Sequence, residues 1–97
     1  MIIKEVLQQL ETATHPVAKA LYKTDGCKIL VIAFKKGMLL KEHQTAVGGK
    51  LTVLEGCVTY IQGDKNIILN KYDETIIPAK TIHAVQAIED SLCLITL

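Results

Sequence analysis

Most of the chain consists of short apolar runs separated by turn residues, and this pattern restricts the fold more than any other feature. Successive runs begin about every ten residues, and no helical period appears among them. They read CKILVIAF, MLLKEHQT, KLTVLE, CVTYIQ, NIILN, ETIIP, HAVQAI and SLCLITL. Turn residues lie between or beside these runs as the pairs Asp25-Gly26, Lys36-Gly37, Gly48-Gly49 and Gly63-Asp64. The pattern predicts an all-β antiparallel sandwich or small barrel.

The apolar residues at the N-terminus repeat with the period of a helix rather than that of a strand. Ile3, Val6, Leu7 and Leu10 follow the i, i+3, i+4, i+7 spacing of one apolar helix face. His15 precedes a proline, which disfavours helical geometry, and we expect it to be a surface residue of the connection beyond the helix. We therefore predict a single domain over residues 1–97, with a short helix in 1–14 and a β-barrel over about 27–97. The helix face could pack on its own barrel or on a partner.

Composition limits the possible partners. Hydrophobic residues make up 49% of the chain but aromatic residues only 4%, so any internal pocket should be aliphatic. The net charge is +1, without a basic stripe, and we expect no nucleic-acid partner. All 11 basic residues are lysine, which disfavours a strongly anionic ligand because the bidentate arginine fork is missing.

The three cysteines, Cys27, Cys57 and Cys93, are odd in number and widely spaced. This spacing favours reduced, mostly buried thiols over a disulfide framework or a CxxC motif. The N-terminus lacks a signal-peptide pattern, and no stretch approaches the roughly 20 apolar residues of a membrane span. We predict a cytoplasmic protein with no membrane partner.

His43 and His83 each lie in a strand-like run. Side chains alternate along a strand, so we expect Leu39, Lys41, His43 and Thr45 to share one face. A histidine that faces the barrel interior needs a hydrogen-bond partner or a metal, because unpaired buried nitrogens are costly. Thr45, Tyr60 and water are the partners we expect in the absence of a metal.

The spacing around both histidines resembles that of the cupin superfamily, specifically its small single-domain, conserved-barrel members. The first cupin motif, G(X)5HXH(X)3-4E(X)6G, is occupied in register by Gly37, His43, Thr45, Gly49 and Gly56. The second motif, G(X)5PXG(X)2H(X)3N, is occupied by Tyr72, Pro78, Lys80, His83 and Ala87. Five of these residues match the motif, namely Gly37, His43, Gly56, Pro78 and His83. Lys80 replaces a small turn residue, which suggests a different loop conformation there.

The resemblance implies a cupin jelly-roll β-barrel and a homodimer, and it implies metal ligands at the positions of His43, Thr45, Gly49 and His83. Only the two histidines are good ligands, so the metal-binding motif is degenerate. The favoured hypothesis is therefore a non-enzymatic cupin of unassigned specificity that binds a small ligand in the barrel. Its pocket would be lined by His43, Thr45, Leu51, Val53 and His83.

Two alternatives remain at this stage. In the first, the chain is a metal-dependent dioxygenase or isomerase that holds zinc, iron or nickel through His43 and His83. Water, the ligand, or Cys57 or Cys93 would complete the coordination of the metal. In the second, the domain is a sensor or interaction module.

Overall fold

The computed structural model describes residues 1–97 as one helix and nine strands. The elements are α1 (Ile2–Leu10), β1 (Val17–Lys23), β2 (Lys28–Phe34), β3 (Leu39–His43), β4 (Gly49–Glu55), β5 (Cys57–Gln62), β6 (Lys65–Asn70), β7 (Glu74–Ile77), β8 (His83–Ala87) and β9 (Ser91–Thr96). They form a five-stranded sheet in the order β1-β2-β9-β4-β7 and a four-stranded sheet in the order β3-β8-β5-β6. All strand pairs are antiparallel. The predicted all-β architecture with a short N-terminal helix is confirmed.

The main core is built from aliphatic side chains of both sheets, because alternate residues of each strand point inward. Phe34 and Tyr60 are its only large aromatic members. The full cluster is Ile32, Phe34, Leu51, Val53, Val58, Tyr60, Leu69, Ile77, Val85, Ala87, Cys93 and Ile95. Burial of each large aliphatic side chain stabilises the fold by about 1.5–3 kcal/mol before entropy is subtracted.

Helix α1 packs on the outer face of its own barrel. Val6 and Leu10 are buried there against Val31 and Ala33, which point away from the main core. This contact explains why β2 is apolar on both faces. Leu7, which the spacing places on the buried face, is 44% exposed.

The helix is shorter than the predicted 1–14. It ends at Leu10, and the amide groups of Glu11, Thr12 and Ala13 donate to carbonyls only three residues earlier. This tighter turn redirects the chain before the His15-Pro16 peptide. The helix does not have the length of a membrane-spanning segment.

The barrel begins before residue 27, because β1 is part of the five-stranded sheet. Its burial alternates at first, and its pairing with β2 shifts register between Ala20 and Tyr22. The hairpin closes through Asp25-Gly26, where the Thr24 amide donates to the Cys27 carbonyl at 2.8 Å. The predicted lower boundary of the barrel was therefore about ten residues too late. The residue types of β1 conceal its alternation, because a lysine, Lys19, stands at a partly buried position and Tyr22 at an exposed one.

Four of the positions that the two motifs name have a positive φ, and two of these positions are not glycine. Tyr72 and Lys80, which stand at the two glycine positions of the second motif, have φ of +73° and +56°. Gly37 and Gly56 have φ of +86° and +85°. The amide of Lys80 donates to the Thr45 carbonyl at 2.7 Å, which ties this turn to the loop after β3. Lys80 therefore has the positive φ that glycine adopts most readily, and the expected difference in loop conformation stays a prediction.

Candidate functional site

The two strand-borne histidines are in contact. β3 and β8 are neighbours in the four-stranded sheet, and His43 is paired with His83 in their register. The ring centroids are 4.2 Å apart at an interplanar angle of 62°, an edge-to-face arrangement. His83 is 2% exposed, whereas His43 is only partly buried. The fold therefore places one deeply buried imidazole beside one that reaches the surface.

A β-bulge in β3 sets the direction of His43. Leu40 is paired with Val85 and His43 with His83, so the intervening two residues of β3 face a single residue of β8. Leu40 consequently packs against the core, while Leu39 is exposed. The expected strict alternation from Leu39 to Thr45 was wrong, because the bulge changes its phase.

Thr45 lies beyond the end of β3 and does not act as a partner of the histidines. Its hydroxyl donates to the Val47 carbonyl at 2.6 Å, which closes the loop between β3 and β4. The hydroxyl of Tyr60 likewise donates elsewhere, to Gln62 Oε1 at 3.0 Å. The expectation that either residue hydrogen-bonds a histidine was therefore wrong.

Both imidazoles are instead held by backbone carbonyls. His43 Nδ1 lies 2.8 Å from the Lys41 carbonyl oxygen, and His83 Nδ1 lies 2.9 Å from that of Thr81. A carbonyl can only accept, so each Nδ1 carries the proton, and in the neutral ring the lone pair is on Nε2. His83 Nε2 is buried and has no hydrogen-bond partner. It is the one buried side-chain nitrogen or oxygen in the chain without a partner.

The electrostatic environment keeps His83 neutral. Burial lowers the pKa of His83 below its usual 6.5, and positive charge on His43 lowers it further. The Thr81 carbonyl acts in the opposite direction without cancelling the effect of burial. The buried Nε2 is therefore a hydrogen-bond acceptor at neutral pH.

His83 lies in the wall of a cleft of about 520 Å³ at the rim of the barrel. The cleft is formed by β3, the hairpin between β5 and β6, and the start of β8. Its lining residues are Glu42, Ile61, Gln62, Gly63, Thr81, Ile82 and His83. Its volume falls within the roughly 300–1,000 Å³ range of small-molecule sites.

A second cleft, of about 450 Å³, lies between β3 and the His15-Pro16 connection. It is lined by His15, Pro16, Leu39, Leu40, Lys41, Glu42 and His43. The two histidines thus line different clefts, and Glu42 is common to both. His15 is exposed, in agreement with its expected position on the surface of the connection.

The structure places Leu51 and Val53 between the sheets rather than at either histidine cleft. Both are fully packed in the core, as alternate inward residues of β4. The cleft residues that the sequence analysis missed, Glu42, Ile61, Gln62 and Ile82, come from three separate segments. The Gly63-Asp64 turn was a possible signal, because it indicated that Ile61 and Gln62 reach the barrel rim.

The two histidines could supply two nitrogen ligands to a metal ion, but the site lacks the residues for a four-ligand metal site. No group of three or more His, Cys, Asp or Glu side chains is close enough to hold a metal ion. A Cβ at Gly49 would lie 2.6 Å from the Thr96 carbonyl oxygen and 2.7 Å from Leu97 Cδ2, so this position has no room for a side chain. Cys93 is packed in the core, where burial raises its pKa to about 12.

Comparison with known proteins identifies the fold. A cupin superfamily protein from Desulfitobacterium hafniense DCB-2 superposes with a TM-score of 0.80 at 23% identity, over 86% of this chain and 76% of its own. An RmlC-like cupin protein from Desulfovibrio desulfuricans gives a TM-score of 0.78 at 27% identity, over 84% and 80%. A cupin 2 conserved barrel domain protein from Leptotrichia buccalis gives 0.80 at 28%, over 89% of this chain and 42% of its own.

No protein-family model matches the sequence, and no curated protein matches it significantly. The structural similarities, together with the motif positions and the two antiparallel sheets, show that the chain is a small cupin-type domain with the jelly-roll fold. The predicted resemblance and fold are confirmed.

Proposed function

We propose that this cupin domain is a non-enzymatic binding module for a small, uncharged organic molecule, and that His83 Nε2 accepts a hydrogen bond from the ligand. Two observations carry the proposal: His83 lines the rim cleft, and its Nε2 atom is buried without a hydrogen-bond partner. A buried acceptor without a partner costs free energy, and a ligand hydroxyl or N–H that reaches it recovers that cost.

The lining of the cleft supports an uncharged ligand. Glu42 disfavours an anion, and arginine, the residue best suited to clamp a carboxylate or phosphate, is absent from the chain. Ile61 and Ile82 provide apolar contact area beside the polar groups. A short aliphatic molecule with hydrogen-bonding groups matches this mixture.

Lactamide is a suitable probe, because it is small and uncharged and carries both a hydroxyl and an amide. We expect saturable lactamide binding in ligand-observed NMR, and weaker binding of its anionic counterpart, lactate. Replacement of His83 by Phe keeps an aromatic ring against Tyr60 but removes the acceptor. This variant should bind lactamide about three- to tenfold more weakly, the equivalent of one net hydrogen bond.

His15→Phe is the matched control, because His15 is exposed and does not line the His83 cleft. It should bind lactamide as the unaltered chain does. Equal lactamide affinity in the unaltered chain and in a folded His83→Phe variant would contradict the proposal, as would an absence of lactamide binding. Amide NMR spectra of each variant establish that it is folded.

A metal-dependent cupin enzyme is the second candidate, and one observation favours it. Both Nδ1 atoms donate to backbone carbonyls and so leave Nε2 free, which is how metal-binding histidines are usually oriented. The missing third and fourth ligands weigh against it. Competition of Zn²⁺, Fe²⁺ and Ni²⁺ against a chromogenic chelator separates the candidates. One-to-one binding that His83→Phe abolishes would favour the metal enzyme over the binding module.

A further inference from the structure

One buried residue, Tyr60, contacts both His83 and a second polar residue of the same cleft. Its ring stacks on His83 with centroids 5.7 Å apart and an interplanar angle of 25°. Its hydroxyl donates to Gln62 Oε1 at 3.0 Å. Tyr60 is 1% exposed and belongs to the main core, so the packing of the barrel fixes its position.

The hydrogen bond from Tyr60 orients the Gln62 amide. Tyr60 and Gln62 are two residues apart on β5 and therefore lie on the same face of the strand. Because Gln62 Oε1 accepts from the tyrosine, the Nε2 group of Gln62 retains two hydrogen-bond donors. Gln62 lines the cleft and is only partly buried, so these donors are accessible. A glutamine that is already ordered loses less entropy when a ligand binds.

We propose that Gln62 is the second polar anchor of the cleft and that Tyr60 is its positioning residue. Gln62 donates to a carbonyl oxygen of the ligand, while His83 Nε2 accepts from a hydroxyl or N–H of the same molecule. The ligand class is thus an uncharged molecule with a donor and a carbonyl acceptor close together, such as a hydroxy amide. This inference rests on the proposed function, because it requires the ligand to occupy the cleft at His83.

The test compares lactamide with butan-2-ol, which has a similar size and the same hydroxyl but no carbonyl. Gln62→Leu should weaken lactamide binding about three- to tenfold and butan-2-ol binding less than twofold, since only lactamide offers the acceptor. Gln86→Leu is the matched control. Gln86 is exposed on the neighbouring strand β8 and does not line the cleft, so neither probe should be affected.

Tyr60→Phe tests the positioning role, because it removes the hydroxyl and keeps the stacked ring. It should weaken lactamide binding about two- to fivefold when Gln62 is present and have no further effect in the Gln62→Leu background. A residue that merely supported the barrel would weaken both probes equally and in both backgrounds.

The outcomes separate this inference from the proposed function. If lactamide binding depends on His83 but not on Gln62, the second anchor is refuted and the proposed function stands. If Gln62→Leu weakens lactamide and butan-2-ol equally, the assignment of a carbonyl partner is refuted. If lactamide binding does not depend on His83, the proposed function fails, and the inference that rests on it fails as well.

Discussion

Two glycines with nearly the same backbone angle, Gly56 and Gly37, allow the steric demands of the barrel to be measured separately from backbone strain. Their φ values are +85° and +86°. A Cβ at Gly37 meets nothing within 4 Å, whereas a Cβ at Gly56 collides with the Asp90 carbonyl oxygen and with Ser91. Gly37→Ala therefore tests strain alone, and Gly56→Ala tests strain and collision together.

The magnitudes follow from the structure. A non-glycine residue at positive φ costs about 1–2 kcal/mol, and the lower entropy of the unfolded alanine chain offsets about 0.4–1 kcal/mol of this. Gly37→Ala should thus cost about 1 kcal/mol. Overpacking at Gly56 adds about 1–3 kcal/mol. The collision also disturbs Ser91, whose hydroxyl accepts from the Cys57 amide at 3.0 Å and donates to the Glu89 carbonyl at 2.7 Å.

Urea unfolding followed by circular dichroism measures both losses. With an m-value of about 1.5 kcal/mol/M, an additional loss of about 2 kcal/mol at Gly56 lowers the unfolding midpoint by roughly 1.3 M relative to Gly37→Ala. Equal midpoints for the two variants, at equal m-values, would refute the argument that close approach of the Asp90-Ser91 backbone requires glycine at position 56.

Three further predictions concern strain, thiol reactivity and pH. Tyr72→Gly and Lys80→Gly should leave stability unchanged or raise it by up to about 1 kcal/mol, because relief of positive φ offsets the added entropy of the unfolded chain; a loss above 1 kcal/mol in urea unfolding would contradict this. A maleimide or disulfide reagent at pH 8 should modify the partly exposed Cys27 rapidly and Cys93 only upon unfolding, since burial raises the pKa of Cys93 to about 12. Mass spectrometry of the labelled peptides measures the modification rate of each cysteine. Because the pKa of His83 is lowered in the folded state, the unfolded chain binds a proton more readily than the folded chain as the pH falls through about 6.5. The contribution of His83 to stability is therefore complete above that pH and declines below it. His83→Phe should flatten this part of the plot of urea unfolding midpoint against pH.

The sequence was sufficient to predict the class of fold, because turn residues, short apolar runs and motif spacing all point to the same barrel. It also indicated that β3 and β8 each carry a histidine. The bulge before His43 was not visible, because a bulge inserts a residue without any change in composition. The hydrogen-bond partners of the imidazoles, the Lys41 and Thr81 carbonyls, are backbone groups that no side-chain pattern reveals.

The residues that line the cleft were harder to predict, since they come from segments that are separate in the sequence and meet only in the folded barrel. Gln62 and Ile82 are far apart in sequence, and only the closure of the barrel brings them to one cleft. Leu51 and Val53 were expected to line the pocket together with the histidines. Their inward direction instead placed them in the packed core. The homodimer and the cytoplasmic location stay predictions.

The central claim, that His83 Nε2 is an unprotonated acceptor for a ligand donor, can be tested directly by NMR of the imidazole nitrogens. Long-range ¹H–¹⁵N correlation at pH 7.5 should show His83 protonated on Nδ1 and not on Nε2. Addition of lactamide should then shift the Nε2 resonance saturably toward that of a hydrogen-bonded nitrogen, while the Nδ1 resonance changes little. A protonated Nε2, or an Nε2 resonance that saturating lactamide leaves unchanged, would contradict the account.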